Sequence, residues 1–168
     1  MSGVVADSEF SFFEGLPRTR GAAAALLRTA DGRLLLVKPT YKPGWSLPGG
    51  VIEEGESPLA ACRRECAEEL GFVPALKKLV CVDWSPPQLH PNRRPATVFL
   101  FSGALEETAM AQVRLPADEL SDAVLADPRQ WQRLVSRGLH RRIVAAAAAA
   151  AEGRTCYLED GRPVLDGD

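Results

Sequence analysis

The chain has little histidine and little cysteine: two of the first and four of the second. Cys62, Cys66, Cys81 and Cys156 form no Cys-x-x-Cys pair and no regular framework, so neither a disulfide scaffold nor a thiolate zinc centre is expected. Cys62 and Cys66 stand one helical turn apart and read as small buried apolar residues. Charge of one sign is also missing, since 20 basic and 22 acidic residues leave a net charge of −2. A nucleic-acid backbone as main partner would favour a basic surface, so no nucleic acid is expected. No apolar run approaches bilayer-spanning length, and the opening MSGVVADSEFSFFEG lacks a basic start followed by an apolar block. No membrane partner is expected, and a cytoplasmic location is the corresponding expectation.

What is present is an ordinary globular composition. At 168 residues, 46% hydrophobic and 25% charged, the chain reads as one domain with a real core. Phe10, Phe12 and Phe13 crowd the first twenty residues and are expected to pack on the body or on a second copy of the chain. Two apolar runs flank Asp31-Gly32, a dipeptide suited to a tight hairpin. TYKPGWSLPGG is broken by proline and glycine and reads as a loop. Ser57-Pro58 starts a helix, with serine as cap and proline at the first helical position, and Gly71 lies just past its end.

Strands are expected at 79–84, 97–101, 112–115 and 123–125. The proline-rich SPPQLHPNRRP separates the first two. A second helical region opens at Asp127-Pro128 and runs to Gly153, with a break expected at Gly138. The Ala145–Ala151 run needs only alanine's helix propensity to explain it. CYLEDGRPVL reads as a terminal hairpin around Asp160-Gly161. Strands and helices in this order suit a mixed sheet with helices on both faces, an α/β fold.

The most concentrated chemistry lies in GGVIEEGESPLAACRRECAEELGF, residues 49–72. On the helix, Leu59, Cys62, Cys66 and Leu70 form a buried stripe, and Glu65, Glu68 and Glu69 sit on an adjoining face. Like charges at this spacing cost roughly 0.2–0.5 kcal/mol per pair, and partial burial raises that cost. A solvated acidic face, eased by Arg64 beside Glu68, explains three glutamates alone. A divalent cation would remove the repulsion, because clustered hard oxygen ligands suit Mg²⁺ or Mn²⁺, but for the glutamates taken alone the solvated face is the favoured reading.

From Gly50 the chain runs through five residues to Glu56, through seven more to Arg64-Glu65-Cys66, and on to Glu68-Glu69-Leu70-Gly71-Phe72. This resembles the Nudix box at every fixed position, with Cys66 in an apolar slot. The preceding WSLPGG is similar to the usual approach to that box. The resemblance implies a Nudix-type α/β/α sandwich with a mixed β-sheet between helices. It divides the chain into an N-terminal extension at 1–20, a Nudix domain at 21–153 and a C-terminal hairpin or tail at 154–168. It also implies hydrolysis of a diphosphate linkage in a nucleoside diphosphate derivative, with Mg²⁺ or Mn²⁺ as cofactor and a small-molecule diphosphate as substrate.

On the same resemblance, Glu65, Glu68, Glu69 and the Gly50 carbonyl are the expected metal ligands. Gly49 allows close backbone approach, Arg64 orients the glutamates, and Glu56 holds the loop-helix junction. The general base is a box glutamate, here Glu65, or an acid from a later loop, for which Glu119 is the candidate. Outside the box, Lys38 and Arg94 are candidates for phosphate and Trp84 for stacking on a base, whereas Trp45 is expected to pack in the core. A homodimer is the expected assembly if the N-terminal phenylalanines meet a second copy. The competing reading is a non-catalytic Nudix-like domain that binds a nucleotide and signals. Such domains tend to lose box glutamates, and none is missing here.

Overall fold

The computed structural model describes residues 9–165. Its strands are β1 (Arg20–Arg28), β2 (Leu34–Pro39), β3 (Gly49–Val51), β4 (Leu76–Ser85), β5 (Ala96–Ala104), β6 (Leu120–Ala126), β7 (Cys156–Glu159) and β8 (Arg162–Pro163). Its helices are α1 (Pro58–Leu70), α2 (Trp131–Leu134) and α3 (Arg137–Ala151), with residues 9–14 also helical. The strands form one mixed sheet in the order β6-β2-β1-β5-β4-β7-β8, and β3 pairs with β1. β1 runs parallel to β5 and β4 parallel to β7. The terminal hairpin therefore extends the same sheet.

Period-2 alternation divides the apolar residues between two cores. In β1, Ala23, Ala25 and Leu27 face the core beneath α1, while Leu26 and Ala24 face the core beneath α3. β2 does the same, with Leu35 and Val37 on the α1 side and Leu34 and Leu36 on the other. Cys62 and Cys66 are buried under α1, and Cys81 and Cys156 under α3. β1 pairs with β2 only at Arg28–Leu34 and then diverges, and β3 fills the opening against Ala22–Ala24. That wedge carries the Gly49-Gly50 backbone into the sheet.

Three expectations need correction. Residues 112–115 are not a strand: Glu107–Gln112 is a 3-10 helix, and the Arg114 amide donates to the Leu70 carbonyl at the end of α1. The segment satisfies the helix terminus instead of joining a sheet edge. The second helical region breaks before Ser136 rather than at Gly138. Val135 is extended where it bridges to Trp45, and Ser136 then caps α3 by accepting from the Leu139 amide at 3.3 Å. Phe10, Phe12 and Phe13 do not pack on the body; all three are exposed. Phe12 and Phe13 meet only edge to face, with ring centroids 5.5 Å apart.

Candidate active site

The site is built outward from α1. Ser57 accepts the Ala60 amide at 3.2 Å, Pro58 follows at the first turn, and Gly71 ends the helix. Burial of Ala61, Cys62, Cys66 and Leu70 fixes the rotation of the helix against the sheet. That rotation turns Arg64, Glu65, Glu68 and Glu69 toward β3 and the loop after it.

Arg64 is the hub of this face. Its Nε and Nη2 donate to the two oxygens of Glu56, each at 3.0 Å, in a bidentate pair. Nη2 also donates to the Val51 carbonyl at 3.0 Å. Nη1 donates to Glu65 at 2.9 Å and to Glu68 at 3.1 Å. Glu56 in turn accepts the Glu53 amide at 3.1 Å, which closes the loop between β3 and α1. These carboxylates raise the Arg64 pKa still further, Glu56 most of all, and Arg64 holds Glu56 below the usual carboxylate range.

The glycines are required by contact. A Cβ on Gly50 would lie 2.5 Å from Glu65 Cδ, and one on Gly49 would lie 2.5 Å from Ala24 Cα. Gly49 also adopts φ 147°, and its amide donates to Glu69 Oε2 at 2.8 Å. A side chain at Gly49 would drive β3 away from β1, and one at Gly50 would displace the Glu65 carboxylate.

Burial leaves two of these carboxylates reluctant to ionise. Glu69 is pushed up to about 7, chiefly by desolvation, with the charges of Glu65 and Glu119 adding to it and the Gly49 amide and Lys42 opposing it. Glu65 is raised by the same desolvation, and Arg64 only partly offsets it. The charge of Glu119, exposed in the loop before β6, thus bears on both Glu65 and Glu69.

Among the described residues, no three acidic, histidine or cysteine side chains close into a ready-made metal cage. The donor set nevertheless fits a hard divalent cation. Glu65 and Glu69 are all-oxygen, partly desolvated and mutually repelling, which is the condition such a cation relieves.

A cavity of about 420 Å³ adjoins this acidic face. Glu69, Gly49 and Gly50 border it, and its wall on the α3 side includes Leu139 and Arg142. Ala22 and Ala24 of β1 line it too, and their small side chains leave the space open.

The expected residues outside the box fare differently. Trp45 lines the cavity, with Lys38 Nζ 5.9 Å from its ring centroid, so it is not simply a core residue. Lys38 itself is exposed and borders an open depression with Ser121 that shares Tyr41 and Lys42 with the cavity. Trp84 belongs to the other sheet face: its neighbour Asp83 points to Arg142 of α3, and alternation turns Trp84 away from the cavity. Arg94 is exposed, with its amide on Asn92 Oδ1 at 3.3 Å, away from the site. Sequence reasoning missed Lys42 and Arg142, which both line the cavity. Lys42 stands only three residues before Trp45, and its place in the loop leading to the box was the available signal. Arg142 had none.

An acidic helix locked onto a double-glycine strand within an α/β/α sandwich is the arrangement to compare with known proteins. The NUDIX domain pattern matches residues 17–146, and the chain belongs to the Nudix hydrolase family. Curated relatives include an ADP-ribose pyrophosphatase of Methanocaldococcus jannaschii, 41% identical over 59 residues, which are 33% of this chain and 35% of that protein. Another is an RNA pyrophosphohydrolase of Psychrobacter sp., 38% identical over 55 residues, 33% of this chain and 32% of that protein. The chain thus spans about a third of the length of each of these two relatives. Among solved structures, a UDP-X diphosphatase superposes with TM-score 0.66 at 19% identity, covering 91% of this chain and 74% of that one. A NUDIX hydrolase from Nitrosomonas europaea gives 0.63 at 20% identity, covering 90% and 98%. These structural likenesses concern the fold.

Proposed function

We propose that the chain is a divalent-metal-dependent hydrolase of a diphosphate linkage in a nucleoside diphosphate derivative, with water attacking phosphorus directly. The observation that carries this reading is the junction of a complete acidic helix with a cavity large enough for a nucleoside. Glu69 belongs to both. The relatives named as an ADP-ribose pyrophosphatase and an RNA pyrophosphohydrolase support a diphosphate linkage as the bond attacked.

Glu65, Glu68, Glu69 and the Gly50 carbonyl would hold Mg²⁺ or Mn²⁺. When bound, such an ion neutralises phosphate charge and lowers the pKa of a coordinated water. The chain's own residues do the positioning. Arg64 keeps Glu65 and Glu68 from drifting apart, and Glu56 keeps Arg64 in place. Lys42 bordering the cavity supplies a point charge for the substrate's phosphates. Glu65 and Glu119 are the two candidates to accept a proton from the attacking water, and Glu119, exposed, makes no hydrogen bond to Arg64 among the described residues. No covalent nucleophile is required: Cys62 and Cys66 are buried in the core, and His90 is engaged with Ser85 Oγ at 3.0 Å.

The test is hydrolysis of a panel of nucleoside diphosphate derivatives with Mg²⁺ in water enriched in heavy oxygen. Label is expected in one phosphate-containing product. Label on a sugar carbon, a trapped phospho-enzyme, or binding without turnover of any compound would overturn the reading, and the last result would favour a nucleotide sensor.

A further inference from the structure

Arg142 has more hydrogen-bonding capacity than the fold uses. Its side chain projects from α3, 17% exposed, and Nε donates to Asp83 Oδ2 at 2.5 Å. Asp83 is fully buried, and its other oxygen accepts the Gly161 amide at 3.0 Å. The carboxylate is thus held at both oxygens, and it anchors the guanidinium at Nε. Among the described residues, Nε–Asp83 is the only hydrogen bond Arg142 makes, which leaves both Nη groups unused. The same side chain borders the cavity that Glu69 borders.

An arginine anchored in this way is a fork with two free tines. Asp83 offsets its charge, so the pair selects by hydrogen-bond direction more than by attraction for an anion. A second phosphate is therefore a poorer match than a neutral planar edge carrying two adjacent acceptors. The surrounding wall agrees: Trp45, Val98, Leu100 and Leu139 line the cavity and suit the faces of an aromatic ring. Guanine presents O6 and N7 side by side as acceptors. Adenine sets an amino donor beside N7, where it would meet a donor of the fork.

We infer that Arg142, held by Asp83, reads the O6 and N7 edge of guanine, so that guanine nucleotides are the substrate class this cavity prefers. The inference rests on the cavity being the substrate site of a diphosphate hydrolase. It adds a binding residue outside the box, contributed by the last helix.

The experiment compares guanosine, 7-deazaguanosine, adenosine and cytidine triphosphates by kcat/KM. In parallel, the corresponding diphosphates are titrated by calorimetry, which reads base preference whether or not turnover occurs. Guanosine is expected to exceed adenosine by roughly tenfold or more, the discrimination typical of one bidentate arginine–guanine pair. Exchanging N7 for carbon should remove much of that advantage. Arg142→Met, combined with Asp83→Asn so that no buried charge is left unbalanced, removes every donor of the fork and should bring the guanosine to 7-deazaguanosine ratio close to one. Equal handling of the two by the wild-type protein would overturn the inference without any variant. So would a preference for cytidine, which offers O2 and N3, or a folded Arg142→Met/Asp83→Asn protein that still distinguishes N7. Strong hydrolysis without base preference sinks this inference alone. Calorimetric preference for guanosine without hydrolysis of any compound sinks the catalytic reading alone.

Discussion

Glu69 concentrates the conflict between folding and function in one carboxyl group. As a proposed metal ligand it would have to be ionised, yet burial pushes its pKa up to about 7. The sign of the effect on stability follows. A group raised in the folded state contributes its full stabilisation below its unfolded value, 4.5, and loses it as pH rises through about 7. The metal-free protein is therefore expected to lose stability across that window, and Glu69→Gln, which does not titrate, should flatten the decline. Urea denaturation with chelator at pH 5 and pH 8 measures this; parallel declines in both proteins would refute it. With Mg²⁺ present, the same variant should lose turnover by about 100-fold or more, beyond the 10–100-fold typical of residues that only support a metal ligand. A folded Glu69→Gln protein with unchanged kcat would remove Glu69 from the site.

At the scale of elements, α1 was almost wholly legible. Its cap, first proline, apolar stripe and terminal glycine all lie within the helix or next to it, and local physics decides local structure. Ser57→Ala removes the cap on the Ala60 amide and should cost about 1 kcal/mol of stability by urea denaturation, with a smaller effect at saturating substrate on kcat. The cavity was far less legible, because residues from Ala22 to Asp160 line it. Reading Trp84 as the stacking residue failed for want of one fact, the phase of β4. Asp83 faces inward because Arg142, 59 positions later, waits to pair with it. Nothing local to Asp83 signals that partner, and its side-chain direction decides which way Trp84 turns. Residues 112–115 show the same limit, since their apolar character served contact with the end of α1 rather than a ladder.

For the molecule as a whole, Asp83 is where three distant parts meet: β4, α3 and the turn between β7 and β8. Asp83→Ala would leave Arg142 without its counterion and the Gly161 amide without an acceptor. The expected loss is about 3 kcal/mol, the low end of what breaking a buried pair costs, because Arg142 borders an open cavity. Asp83→Asn keeps hydrogen-bonding atoms and should lose less. Equal stability of both variants to the wild type would show that the terminal hairpin is held by its strand pairing alone. Among the described residues no helix is long and apolar enough to cross a membrane.

The division of the four thiols between the two faces of the sheet gives the protein a pair of chemical clocks. Cys62 and Cys66 lie under α1, Cys81 and Cys156 under α3, and every one is buried. Contact with Cys62 and then burial push the Cys66 thiol up, and burial followed by Cys156 does the same for Cys81. Such thiols react with an alkylating reagent only when their layer opens, so modification rate measures exposure directly. Cys156, 9% exposed and bordering a surface cavity beside α3, should react first. Because β1 contributes side chains to both layers, Cys62, Cys66 and Cys81 should follow at one slow rate under native conditions. Mass spectrometry of partially alkylated protein would then show singly and fully modified chains with little between. Early modification of Cys62 and Cys66 without Cys81 would reveal that the α1 layer breathes independently of the other.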